Sequence, residues 1–418
     1  MTLNGGPLAY ASAEPPTPLT IEEEAALAFA ACGVTGRVLG DLPYETGGMA
    51  NSGGGNIMYS FTGRTIASGD AIHTTAVVVL NDEGAWFLKR PRDHSPEELN
   101  EIIAAAHEGR LVDIYLKSRI RITDQRPTLP REMPYIPPFN HWSVNQPGTT
   151  YFMPVIEYTT IMFSMLLSAL GEEIGMFVLD ERNGFKPAGL ASFAKSKGGH
   201  LHDDPSRMVT VGYLEAAAQQ FTALEVGAIL QNLGLMTAAL GLGGFPNSAI
   251  HPDWLKAFGF QVQEIPFSRL MAASFLEREV MEALGKDLPV PNTVGFEFNG
   301  VSLVKPFCRP NYPTMEAAVR AWLDVKYAKA KGTFRDDKGT LFRDARGVEA
   351  GIPPYSEGAI NAAIAYCTYL DERYGRFPAT TAPIATLLGF QAHRLDLAFY
   401  ETKYLPEAVG PTQRRREE

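Results

Sequence analysis

EVGAILQNLGLMTAALGLGGF, residues 225–245, is apolar on every side of a helical wheel, and a helix of that kind has to be buried. Gly227, Ala228, Gly234, Ala238 and Ala239 leave room for another backbone to approach closely, as in a central helix packed on a sheet or across a dimer axis. With the residues before it, the stretch predicts a long helix over 206–241, broken once and closed by a glycine-rich turn. Its polar exceptions are Glu225, Gln231 and Asn232. A buried Glu225 calls either for a salt bridge to an arginine elsewhere in the chain or for a ligand. Gln231 and Asn232 suit buried polar packing at a dimer axis.

Working outward, TTAVVVLNDEGAWFLKR (74–90) holds two β-branched and aromatic runs split by a polar turn, the composition of a hairpin. Ser95, Pro96 and Glu98 form a capping box that opens a helix running to about Gly109. The proline-rich stretch 119–148 reads as an ordered excursion, a candidate lid carrying His141 and Trp142. An apolar helix is expected around 154–170, then a strand, MFVLD, entering the turn at Arg182, Asn183 and Gly184. Further on, helices are expected near 269–284, 314–331, 357–374 and 383–402, with a strand-like stretch at 294–304. At the other end lie an arm over 1–20, a helix over 21–32 and a glycine-dense loop at 47–56. No internal repeat is visible.

The whole chain is 418 residues with 47 acidic and 37 basic side chains, a net charge of -10 that opposes binding to nucleic acid. Its 45% hydrophobic content is that of a chain with a buried core. Cys32, Cys308 and Cys367 are too few and too scattered for a disulfide framework or a cysteine zinc site. His200, His202, Asp203 and Asp204 read as a solvated loop, so no metal site is assigned. No apolar stretch reaches the ~20 residues that span a bilayer. No basic residue precedes Arg37, so a secretory signal is not expected and a cytoplasmic location is.

The segment SGDAIHTTAVVVL (68–80) places small and hydrogen-bonding residues directly before a strand, where loop amides and the Ser68 hydroxyl can hold a polar ligand. Here the chain resembles the FMN-dependent nitroreductase superfamily, in particular its longer branch containing the thiazoline and oxazoline dehydrogenases. Two motifs carry the resemblance: GRTIASGDAIHTTAVVVL (63–80) followed by GAWFL (84–88), and EVGAILQNLGLMTAALGLGG (225–244). The resemblance implies an α+β fold, a central antiparallel or mixed sheet flanked by helices. It would form a homodimer with FMN at the subunit interface and ping-pong hydride transfer through flavin N5. On that basis residues 1–56 are an arm and glycine-rich loop. Residues 57–260 are a flavin domain with a large insertion at about 110–205, and 261–418 are a mainly helical C-terminal extension.

The same resemblance implies cofactor contacts from Arg64 to the flavin phosphate, and from Ser68, Gly69, Asp70 and His73 around the ribityl chain or ring. Gly243 and Gly244 amides would lie beside the isoalloxazine. NAD(P)H is the implied co-substrate, and the partner a small or mid-sized organic molecule. No catalytic side chain is assigned, because the chemistry would be the cofactor's. Asp70 stands where the family has glycine, and the early Arg-Arg-Ser-x-Arg phosphate motif is missing. These departures sustain an alternative, a protein that kept the fold, lost the flavin and binds a ligand or partner.

Overall fold

A computed structural model describes residues 1–39, 61–132, 135–248, 252–271, 273–335, 342–350, 352–386 and 388–415. The glycine-dense loop at 47–56 lies outside them, as does the side chain of Asp70. The fold is α+β, centred on an antiparallel sheet. Its strands are β1 (Thr75–Asn81), β2 (Gly84–Leu88), β3 (Arg119–Thr123), β4 (Thr149–Glu157), β5 (Gly243–Ser248), β6 (Ile384–Ala385) and β7 (Leu388–His393). The order across the sheet is β5-β7-β4-β1-β2-β3, with β6 paired to the end of β4.

The hairpin β1–β2 forms as expected, with Asn81 paired to Gly84. Alternation along β1 sends its side chains to opposite faces, and both faces are covered. Val77 and Val79, with Leu88, Phe152 and Phe390, pack under helix α1 (Ile21–Cys32) and the second half of the long helix α5 (Val211–Ala239). Ala76, Val78 and Leu80, with Phe87 and Met153, pack on Trp254, Phe258, Phe296 and Val304. The last two belong to a small antiparallel sheet of Gln261–Pro266, Pro289–Phe298 and Val301–Val304. Helices α2 (Pro96–His107) and α3 (Leu111–Ser118) close one flank, and α2 begins at the capping box of Ser95 and Glu98.

Helix α4 (Tyr158–Ala169) and the first half of α5 build a helical layer with α6 (Met315–Tyr327) and α7 (Glu357–Tyr374). Helix α5 (Val211–Ala239) runs 29 residues without a break, about 44 Å, and so serves both the helical layer and the sheet. The expected interruption is absent because nothing in it removes a backbone donor; its glycines cost propensity only, and packing offsets that. Among the described residues no helix is long and apolar enough to cross a membrane. The three cysteines are free and buried.

Two expectations are corrected. The helix expected over 154–170 starts only at Tyr158, because 149–157 is a strand with all nine residues buried. A short apolar run buried on both faces has no period to reveal it. The closing helix expected at 383–402 is strand β6, strand β7 and a short helix, Leu397–Lys403. Strand β7 pairs with β4 on one side and β5 on the other, so residues 388–393 complete the central sheet. That pairing spans more than 140 residues of chain, beyond the reach of any local pattern. The N-terminal arm also lies on this region: Tyr10 and Ser12 donate hydroxyl hydrogen bonds to Asp396.

Candidate functional site

The turn leading into β1 is the most constrained backbone in the first motif. Ala71 and His73 hold φ values of 50° and 54°, the left-handed region that non-glycine residues seldom occupy. Such positions persist only where neighbours over-determine them. Here the determinant is Glu225 on α5, 1% exposed. Its carboxylate accepts from the Ser68 hydroxyl (2.6 Å), the Thr74 amide (3.2 Å), the Thr74 hydroxyl (2.6 Å) and the Thr75 amide (2.8 Å). Ser68 in turn accepts from the His73 amide at 2.9 Å. The two motifs separated by 150 residues are thus joined through one carboxylate.

Around it lies a buried charged cluster. Arg64 donates from Nε to the Cys32 carbonyl (2.8 Å) and from Nη1 to the Thr75 carbonyl (3.3 Å), while Nη2 is buried with no partner. Burial pushes the Glu225 carboxyl up, but the bonds from Ser68, Thr74 and Thr75 with the Arg64 charge outweigh it, leaving the pKa below its usual value. His73 goes the other way: burial, then the Arg64 charge, hold it down at about 4. Its ring is therefore neutral at pH 7, and because Nε2 lies 2.8 Å from the Thr62 carbonyl, that nitrogen carries the proton. Nδ1 is left as a buried acceptor without a partner. Arg92, lowered to about 10 mainly by burial and then by Arg90, stays cationic and lies 3.9 Å from Glu157.

Arg64, Ser68, Gly69 and His73 are brought together, whereas Gly243 and Gly244 are not. They follow the far end of α5, and Glu225 to Ala239 alone is about 21 Å of helix. All three glycines are required by the chain's own packing. A Cβ on Gly69 would come within 2.8 Å of Phe221, and one on Gly243 within 2.5 Å of His393. On Gly244 it would meet Phe390 and Thr237, both at 2.7 Å. We therefore expect Gly244→Ala to destabilise the fold by about 1–3 kcal/mol, the usual cost of overpacking, read from the denaturation midpoint. A ligand-contact role alone would leave that midpoint unchanged.

Tested on these contacts, the assigned residues do not fit the flavin phosphate and ring within a single chain. The Arg64 guanidinium faces inward, the Ser68 hydroxyl is engaged by Glu225, and the space beside each glycine is filled. Thr74, Thr75 and Arg92 are the cluster members the sequence reading missed; the paired threonines directly before a strand were their only signal. Glu225 is buried, but among the described residues it pairs with no arginine: the hydroxyls and amides of Ser68, Thr74 and Thr75 satisfy it, the salt bridge read from the sequence being absent. Asn232 donates to the carbonyls of Ala30 and Thr65, so it fastens α1 to the first motif inside the chain.

What the single chain leaves open is a surface. Along α5, Tyr213, Phe221, Leu224 and Leu235 are between 42% and 61% exposed, and Gly227 and Gln231 lie exposed on the same stripe. Its Phe221 end touches Gly69. Large apolar side chains gathered on one exposed face are uncommon on a monomer's surface.

No family profile matches the chain, and no curated protein does. Among solved structures, it is similar to a candidate nitroreductase from Ralstonia eutropha JMP134, with 14% identity over 60% of this chain and 70% of that one, at a TM-score of 0.28. A superposition this loose transfers no residue's role.

Proposed function

We propose that the protein is a nitroreductase-like oxidoreductase whose cofactor site is completed by a second copy of the chain docked on the exposed stripe of α5. The reading calls for FMN as cofactor, NAD(P)H as electron donor and a small or mid-sized organic molecule as substrate. The observation that carries it is the adjacency of Gly69 and Phe221, which sets the first motif's turn at the edge of the uncovered apolar stripe. The chain's own contribution is a rigid edge: Glu225 fixes the turn, and Arg92 supplies a partly exposed cation.

The test is FMN retention after removal of unbound cofactor, in the native chain and in Leu235→Glu. The native chain should be a dimer keeping about one FMN per subunit. Leu235→Glu puts a charge in the apolar stripe and should yield monomer that retains none. A monomeric variant that still keeps FMN contradicts the proposal.

A second reading is favoured by the engaged Arg64 and the filled glycine spaces: the fold without the flavin, binding a ligand or partner. On that reading the native chain dimerises and retains no FMN.

A further inference from the structure

Away from the α5 stripe, a cleft of about 240 Å³ opens between the segment 268–278, the turn after strand Phe177–Asp180 and the end of α7. Four arginines line it: Arg182, Arg269, Arg278 and Arg373. In a chain with ten more acidic than basic side chains, such a concentration of guanidinium groups is the reverse of the average surface. Like charges gathered in one concavity repel unless something neutralises them.

Little in the fold does so. Arg373 lies 3.5 Å from Asp180. That carboxylate also accepts from the hydroxyls of Tyr369 and Tyr374 and from the Arg182 amide. Among the described residues no carboxylate pairs with Arg182, Arg269 or Arg278. Asp287 accepts from the amide and hydroxyl of Ser268 and Glu277 closes the capping box with Ser274, and neither forms an ion pair with these arginines. Arg269 lies across the end of α7, where a Cβ on Gly375 would stand 2.9 Å from its Nη1. A helix C-terminus offsets about half a charge, so Arg269 is eased by a dipole and not by an ion pair. Arg278 Nε is also buried, with no hydrogen-bond partner among the described residues.

We infer that this cleft is an anion site that takes a diphosphate group. Its volume is below the ~300–1,000 Å³ of pockets that enclose whole drug-sized ligands, so it suits a small, multiply charged head rather than a flat cofactor. Planar guanidinium forks match phosphate oxygens bidentately, and three forks held in no ion pair among the described residues offer the donors that a diphosphate takes up. The inference is independent of the flavin proposal and uses none of its residues.

Calorimetric titration of the full chain with inorganic pyrophosphate, with ADP and with adenosine tests it. Pyrophosphate and ADP should bind, more weakly as salt is added, and adenosine should not. Arg278→Ala and Arg269→Ala should each weaken binding about tenfold or more, the value of a charged hydrogen bond. Arg182→Ala, in an exposed turn where folding is not at stake, should weaken it as well. Failure of both phosphates to bind, or binding by all three variants as tight as by the native chain, overturns the inference. ADP binding without pyrophosphate binding overturns it too, since recognition would then lie outside the arginines.

Discussion

Replacing Glu225 by alanine should lower the stability of the fold by about 3–5 kcal/mol, since several buried donors lose one shared acceptor at about 1–3 kcal/mol each. The loss has identifiable parts. The amides of Thr74 and Thr75 and the hydroxyls of Ser68 and Thr74 lose their acceptor in a site without solvent. Arg64, 8% exposed, loses the attraction of the Glu225 charge. The left-handed residues Ala71 and His73 lose what holds them. Glu225→Gln should recover part of this, because the amide oxygen accepts while its nitrogen faces donors. Chemical denaturation against an exposed control, Glu282→Ala, measures the effect; a loss below about 1 kcal/mol would mean that the network does not hold the turn.

The second large effect is a loss of stability in mild acid. His73 titrates near its ordinary value of 6.5 when unfolded and at about 4 when folded, so the unfolded chain binds the proton first. Stability is therefore full above pH 6.5 and falls as pH drops through the window to about 4, by about 3 kcal/mol at 1.36 kcal/mol per unit. Glu225 adds to this in stronger acid, since its folded value is depressed and its contribution fades as it protonates. In His73→Asn, where asparagine tolerates the left-handed backbone, the upper part of the slope should vanish. An unchanged pH profile in that variant would assign the acid sensitivity elsewhere.

The parts of the fold legible in the sequence are those written locally. The hairpin at 75–88, the capping box of α2 and the apolar second half of α5 each announce themselves within twenty or so residues, though the continuity of α5 does not. What escaped depends on distant partners. Strand β7 reads as helix until β4 and β5 are placed on either side of it. Strand β4, buried on both faces, shows no alternation to separate it from the helix that follows.

For the site, the motifs were visible but not their purpose within the chain. Ser68 and Gly69 look like ligand-facing residues, yet one hydrogen-bonds Glu225 and the other makes room for Phe221. A small residue that admits a ligand and one that admits a neighbouring side chain have the same signature until the neighbour is known. The arginine cleft was invisible for a related reason: its four members come from three segments spread over almost 200 residues.

The central claim is that a second copy on α5 completes a flavin site. Sedimentation velocity of the native protein equilibrated with FMN, followed by protein and by flavin absorbance, tests it most directly. The account predicts that flavin absorbance sediments with a dimer at about one FMN per subunit. Flavin left behind at the rate of free FMN, or carried by a monomer, would contradict it.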